Sequence, residues 1–231
     1  MKWETAHFDF YYSKFNADFA RSLSGKIEDV YVRVAAKYGI CLGDERYDFY
    51  LCATVEEYIR RTGKKAEEYQ EWMLGWAGRA EEGASCCKKR LCLLRKDEPE
   101  QYTGEYLEYL TQIMIHEVTH IVFDQLTDNE DEVICWLAEG IAVMTAGQTN
   151  VEDISQDEFP LIRDIDGRGD CDAFYDNGGY DYAGVYVSYF IKKFGVENFV
   201  RAYRNEIDVN SLIYDGFEKE AILDFLTGKH F

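Results

Sequence analysis

The chain has 231 residues, 47% of them hydrophobic and 16% aromatic, with only two prolines; that is enough apolar surface for one sizeable domain and leaves no Pro-rich linker. Its 44 acidic and 25 basic residues give a formal charge of −19, which repels nucleic-acid phosphates and anionic membranes and argues against both as partners. Seven cysteines, with Cys86 and Cys87 adjacent and no CxxC pair, do not resemble a secreted disulfide framework, and the polar start MKWETAHFDF with no apolar run of spanning length leads to a cytoplasmic expectation.

His7–Ser13 alternates and is aromatic, so a strand is expected there. Asn16–Tyr38 carries apolar residues at helical spacing and stops at Gly39, which suits a helix C-cap. Tyr47–Cys52 reads as a second strand. Thr54, with Glu57 three residues on, has the form of a capping box that opens another helix. After Gly63 a short helix is expected over 65–72. Leu74–Arg79 and Arg90–Leu94 read as paired strands joined by a turn rich in Glu, Gly and Ser.

Long helical patterns then run from about Thr103 to Leu126 and from about Glu132 to Ala146. Residues 149–179 have no period and are rich in Asp and Gly, and within them Glu152–Asp176, with nine acids and two bases, reads as a solvated loop able to rim a cleft. From Tyr180 onward the pattern is helical again, with breaks at Gly195, Asn210 and Gly216. Strands early and helices late predict an α+β fold in a single domain, 1–231. Residues 1–100 would form a sheet-containing N-terminal part and 101–231 a mainly helical part.

The chemistry concentrates in HEVTH, His116–His120, which holds two of only four histidines. Residues four apart share one helix face, so both imidazoles can reach one metal ion, with Glu117 beside them to handle a water. A catalytic zinc takes three protein ligands and keeps a further position for water or substrate. The third candidate is Glu139 in WLAEG, with 18 residues between it and His120. A carboxylate inside so apolar a stretch is costly unless it is paired or coordinated. Cobalt or manganese could occupy the same donors.

HEVTH followed after 18 residues by a glutamate, HEVTH…WLAEGIAVM, resembles the gluzincin zinc metallopeptidases, and small peptidase MA-like proteins in particular. The resemblance implies a zincin-like fold, one Zn2+ on His116, His120 and Glu139, Glu117 as general base, and a peptide or protein substrate. It also implies a tyrosine at the start of a later helix. Tyr180, in the run from Tyr180 through Ala183 and Tyr189 to Gly195, matches that spacing, and Tyr182 is the alternative. Leu74–Ala80 falls where such enzymes place an edge strand that pairs with substrate main chain, which nominates Trp76, Ala77 and Gly78 for substrate binding. Two family features are missing: a GxMEN-type sequence, and an acid four residues beyond the third ligand, where Val143 stands. The alternatives to an active peptidase are a catalytically silent zinc-binding scaffold and a regulatory protease with one protein substrate.

Other features carry less. Asp164, Asp166, Gly169, Asp170 and Asp172 faintly echo a calcium loop, but Arg168 and Tyr175 stand at ligand positions. Arg168-Gly169-Asp170 reads as a chance integrin tripeptide, and Lys88-Lys89-Arg90 as an exposed hairpin end. His7 and His230 read as structural or surface residues.

Overall fold

A computed structural model describes residues 1–79, 89–95, 104–127, 133–167 and 171–228. The fold class is α+β, and the chain divides into two compact units, Met1–Val122 and Phe123–Phe231. Among the described residues no helix is long and apolar enough to cross a membrane. Ala80, Cys86, Cys87, Lys88, Thr103, Arg168-Gly169-Asp170 and His230 lie outside the described residues.

The first unit is built on a five-stranded mixed sheet in the order β1-β2-β3-β5-β4. Its strands are β1 (Lys2–Glu4), β2 (Phe8–Tyr12), β3 (Tyr47–Cys52), β4 (Gly75–Arg79) and β5 (Lys89–Leu94). β2, β3 and β5 run parallel to one another, while β1 and β4 pair antiparallel at the two edges. The expected strands form where aromatic and apolar content placed them. The extra strand, β1, is fully exposed over its three residues and has no apolar alternation to announce it.

Between β2 and β3 runs α1 (Ala17–Tyr38), which buries Phe19, Leu23, Ile27, Tyr31, Val34 and Tyr38 along one stripe. It ends where Gly39 takes φ 66°, the left-handed conformation that a glycine adopts without strain. Tyr31 packs edge-on against Phe8 and Tyr47, and Phe10 lies 4.8 Å from Phe49 across the strands. Each such fully buried aromatic contributes roughly 1.5–3 kcal/mol of transfer free energy.

The opposite sheet face buries Tyr50, Cys52, Cys92 and Leu94 together with Tyr58 of α2 (Val55–Thr62). That helix starts as its sequence predicts: the Thr54 hydroxyl accepts the Glu57 N–H at 3.1 Å. The Glu57 carboxylate reaches back to the Ala53 N–H, one residue before the cap. The helix expected over 65–72 is instead one 3-10 turn, Ala66–Glu68. Glu67, Glu68, Glu71 and Trp72 are all exposed, so this stretch has no apolar face whose burial would hold a longer helix. The unit closes one residue before the end of α3 (Gly104–Phe123), a 20-residue helix that buries Leu110, Met114, Val118 and Ile121.

In the second unit α4 (Cys135–Ala146) packs along α6 (Gly179–Phe194). A β-carbon on Gly140 would stand 2.5 Å from the Ala183 carbonyl oxygen, so any larger residue would push these helices apart. Trp136 is wholly buried, with its ring edge-on to Phe190. Two further helices, α7 (Val196–Tyr203) and α8 (Phe217–Leu226), follow the breaks at Gly195 and Gly216. Among the described residues between α4 and α6, the aperiodic stretch makes only 3-10 turns and the five-residue α5 (Asp172–Asp176). A disulfide joins Cys135 to Cys171, 36 residues apart. Cysteine spacing alone did not point to that pairing.

Candidate metal centre

α3 supplies the first two donors. His116 is buried and His120 half-buried, and the two share one face of the helix. One turn apart, their Nε2 atoms come within 3.0 Å of each other, with ring planes 73° apart. Two nitrogens on one tetrahedral zinc, each about 2.0–2.1 Å from it, stand about 3.3 Å apart. The paired imidazoles are therefore close to the spacing that a shared ion requires.

Glu139, on α4, is half-buried between Leu137 and Ile141, which are wholly buried. Its carboxylate completes a group with His116 and His120 in which the three candidate donor atoms all lie within 4.8 Å of one another. Two imidazoles and a carboxylate are a donor set suited to zinc.

Glu117 projects beside this pair, against the edge strand. A β-carbon on Gly75 would lie 2.5 Å from the Glu117 Oε1 and 3.0 Å from its Cγ. Only a glycine at that place lets β4 approach the carboxylate so closely. The Tyr58 hydroxyl donates to the Gly75 carbonyl at 2.6 Å. Burial raises the Tyr58 phenol above its ordinary range, and the nearby negative charge of Glu117 raises it further. The phenol therefore stays protonated and remains a donor at neutral pH. Tyr58 and Gly75 are site neighbours that sequence reasoning missed; a tyrosine among 18 and a glycine among 18 carry no spacing signal.

β4 is a sheet edge among the described strands, the place the family resemblance implied for it, and the register decides which main-chain groups face outward. The Leu94 N–H bonds to the Leu74 carbonyl at 2.7 Å, and Gly75 stands opposite Leu93. In an antiparallel pair alternate residues point their N–H and C=O to opposite sides. Leu74, Trp76 and Gly78 thus face β5, while Gly75, Ala77 and Arg79 face the free edge. Of the three nominated residues only Ala77 offers main-chain groups there. The Trp76 side chain packs on the Tyr50–Tyr58 cluster, and its ring crosses Gly78 so closely that a β-carbon on Gly78 would lie 2.8 Å from it.

Tyr180 and Tyr182, both near the start of α6, have different surroundings. Tyr182 is buried: its hydroxyl donates to the Glu158 carbonyl at 3.1 Å and accepts the Ser155 N–H at 3.0 Å. Its one proton is committed to the 155–158 turn. Tyr180 is 36% exposed, and its hydroxyl reaches Gln148 Oε1 at 3.4 Å, a long bond that is easily exchanged. Burial, followed by the charge of Asp153, raises the neighbouring Asp181 carboxyl above its usual range. Asp164, Asp166 and Asp172 join no metal-binding group among the described residues. His7 is structural, its ring and backbone nitrogens both bonded to Glu28. Comparison with protein-family models and with curated proteins finds no match for this chain.

Proposed function

We propose that this protein is a zinc-dependent metallopeptidase of gluzincin type, with a zincin-like fold. The observation that carries the reading is the convergence of His116, His120 and Glu139, with Glu117 between the two histidines in HEVTH. The substrate in this reading is a peptide or protein in extended form, since β4 offers outward main-chain groups alongside Glu117.

Bound to His116, His120 and Glu139, zinc would supply Lewis acidity, making a water nucleophilic near neutral pH and polarising the scissile carbonyl. Glu117 takes the proton from the attacking water and returns it to the leaving amine. Its carboxylate is held for that work against Gly75 and Ile113. Tyr180 donates a hydrogen bond to the developing oxyanion; donors in such a role are worth about 3–4 kcal/mol. Tyr182 cannot take that part without breaking its bond to the Glu158 carbonyl.

A catalytically silent zinc scaffold would need the metal donors but not Glu117, and Glu117 is present and closely packed. A regulatory protease with one protein substrate uses the same chemistry and differs only in what it accepts. The compartment bears on the second unit, because a reducing cytoplasm would keep Cys135 and Cys171 as thiols, whereas an oxidising one would keep them joined.

The test is cleavage of a diverse peptide library, with mass-spectrometric detection, before and after chelation and again after zinc is restored. Cleavage lost on chelation, regained with zinc and absent in Glu117→Gln supports the reading. Cleavage that survives Glu117→Gln contradicts it.

A further inference from the structure

β4 presents three residues to the free edge, Gly75, Ala77 and Arg79, yet their main-chain acceptors are not equivalent. The Tyr58 hydroxyl lies 2.6 Å from the Gly75 carbonyl oxygen. Since the Leu74 carbonyl already bonds β5 through the Leu94 N–H, the Gly75 carbonyl points the opposite way. The phenol therefore already takes up an edge-facing acceptor that an incoming strand's amide would otherwise bond. Tyr58 is wholly buried and is held in the cluster of Tyr50, Cys52, Cys92 and Leu94, so it is not a side chain that swings aside at little cost. Gly75 is also the residue packed against Glu117. The blocked acceptor and the general base thus stand at the same point along the strand.

We propose that Tyr58 is a specificity-determining residue: by capping the Gly75 carbonyl it ends main-chain pairing along β4 beside Glu117, so that an extended peptide pairs through Ala77 on one side of the reacting bond only. This rests on the metallopeptidase reading and sharpens its substrate class. The peptides accepted are held by sheet pairing on one side of the scissile bond. On the other side they are held by side chains alone, or they are short there.

The experiment is an ester scan of binding. A non-repeating, fluorescein-labelled decapeptide that the wild-type enzyme cuts at one bond is bound to zinc-loaded Glu117→Gln, and each amide is replaced in turn by an ester, which deletes one N–H donor. Deleting the donor that meets the Ala77 carbonyl should weaken binding about 3- to 10-fold, the cost of one neutral hydrogen bond. Deleting the donor two residues further, which would meet Gly75, should change nothing. Adding Tyr58→Phe should make that second position sensitive by a similar factor. A penalty at both positions with Tyr58 intact overturns the proposal and leaves the peptidase reading standing. An unchanged scan after Tyr58→Phe, in a variant that melts as a folded protein, also overturns it. If no peptide is cut by the wild type, both readings fall.

Discussion

Gly75 and Glu117 touch so closely that a β-carbon on the glycine would lie 2.5 Å from the carboxylate oxygen. That contact aligns the edge strand with the proposed general base and makes Gly75 sensitive to the smallest addition. In Gly75→Ala the new methyl also meets the Ile113 side chain, an overpacking that typically costs about 1–3 kcal/mol. The expected result is lowered thermal stability and at least about tenfold slower peptide cleavage, with zinc content unchanged. Zinc loss in this variant would mean that Gly75 supports α3 as a whole rather than Glu117.

The two tyrosines of α6 separate catalysis from support. Tyr180→Phe should keep one zinc and its melting temperature while kcat falls about 10²- to 10³-fold, the range seen when one oxyanion donor is removed. Tyr182→Phe should keep kcat in the folded protein and cost stability instead, about 1 kcal/mol, because the Glu158 carbonyl and Ser155 N–H lose their partner. Steady-state kinetics beside thermal melts distinguish the outcomes. Equal loss of kcat in both variants contradicts the assignment.

Alkaline unfolding reads the buried phenols. Burial raises Tyr58 and Tyr186 in the folded chain, with Glu117 adding to the first and Glu218 to the second. Below about pH 10 both phenols are neutral in either state, so they add no pH dependence. Above it the unfolded chain loses those protons first, and stability falls as pH rises by about 1.4 kcal/mol per pH unit per phenol. Urea melts between pH 9 and 11.5 should show that slope, and Tyr58→Phe should reduce it by one proton.

Cys135 opens the helix that carries Glu139 one turn later, and its bond to Cys171 closes a loop with a separation of 36 residues. A loop of that length predicts about 3–4 kcal/mol of stabilisation by restriction of the unfolded chain. Cys171→Ser, or reduction with a dithiol, should lower the melting temperature by several degrees or more without unfolding the first unit. Zinc affinity should weaken in parallel if the link holds α4 in place. An unchanged melt after reduction would contradict a stabilising role.

Much of the fold could be read from local chemistry. α1 and α2 stop at Gly39 and Gly63, both with positive φ, and β3 spans the six residues Tyr47–Cys52 expected of it. Failures came where tertiary context decides. β1 is an exposed strand made only by pairing with β2, and the 65–72 segment has helix formers but no apolar face to bury. His116 and His120 were legible because their spacing is helical and local, and Glu139 because it is a carboxylate in an apolar stretch, whereas Tyr58 meets Gly75 through a contact 17 residues away in sequence. The Cys135–Cys171 bond was hidden for a similar reason: seven cysteines permit many pairings, and only folding selects one.

The most direct measurement is zinc K-edge X-ray absorption on the zinc-loaded protein, with metal content determined on the same sample. One zinc per chain is expected, with two imidazole nitrogens and a carboxylate oxygen at about 2.0–2.1 Å, a signal lost in His116→Ala and retained in Glu117→Gln. Substoichiometric zinc, or a first shell dominated by sulfur at about 2.3 Å from cysteine, would contradict that expectation.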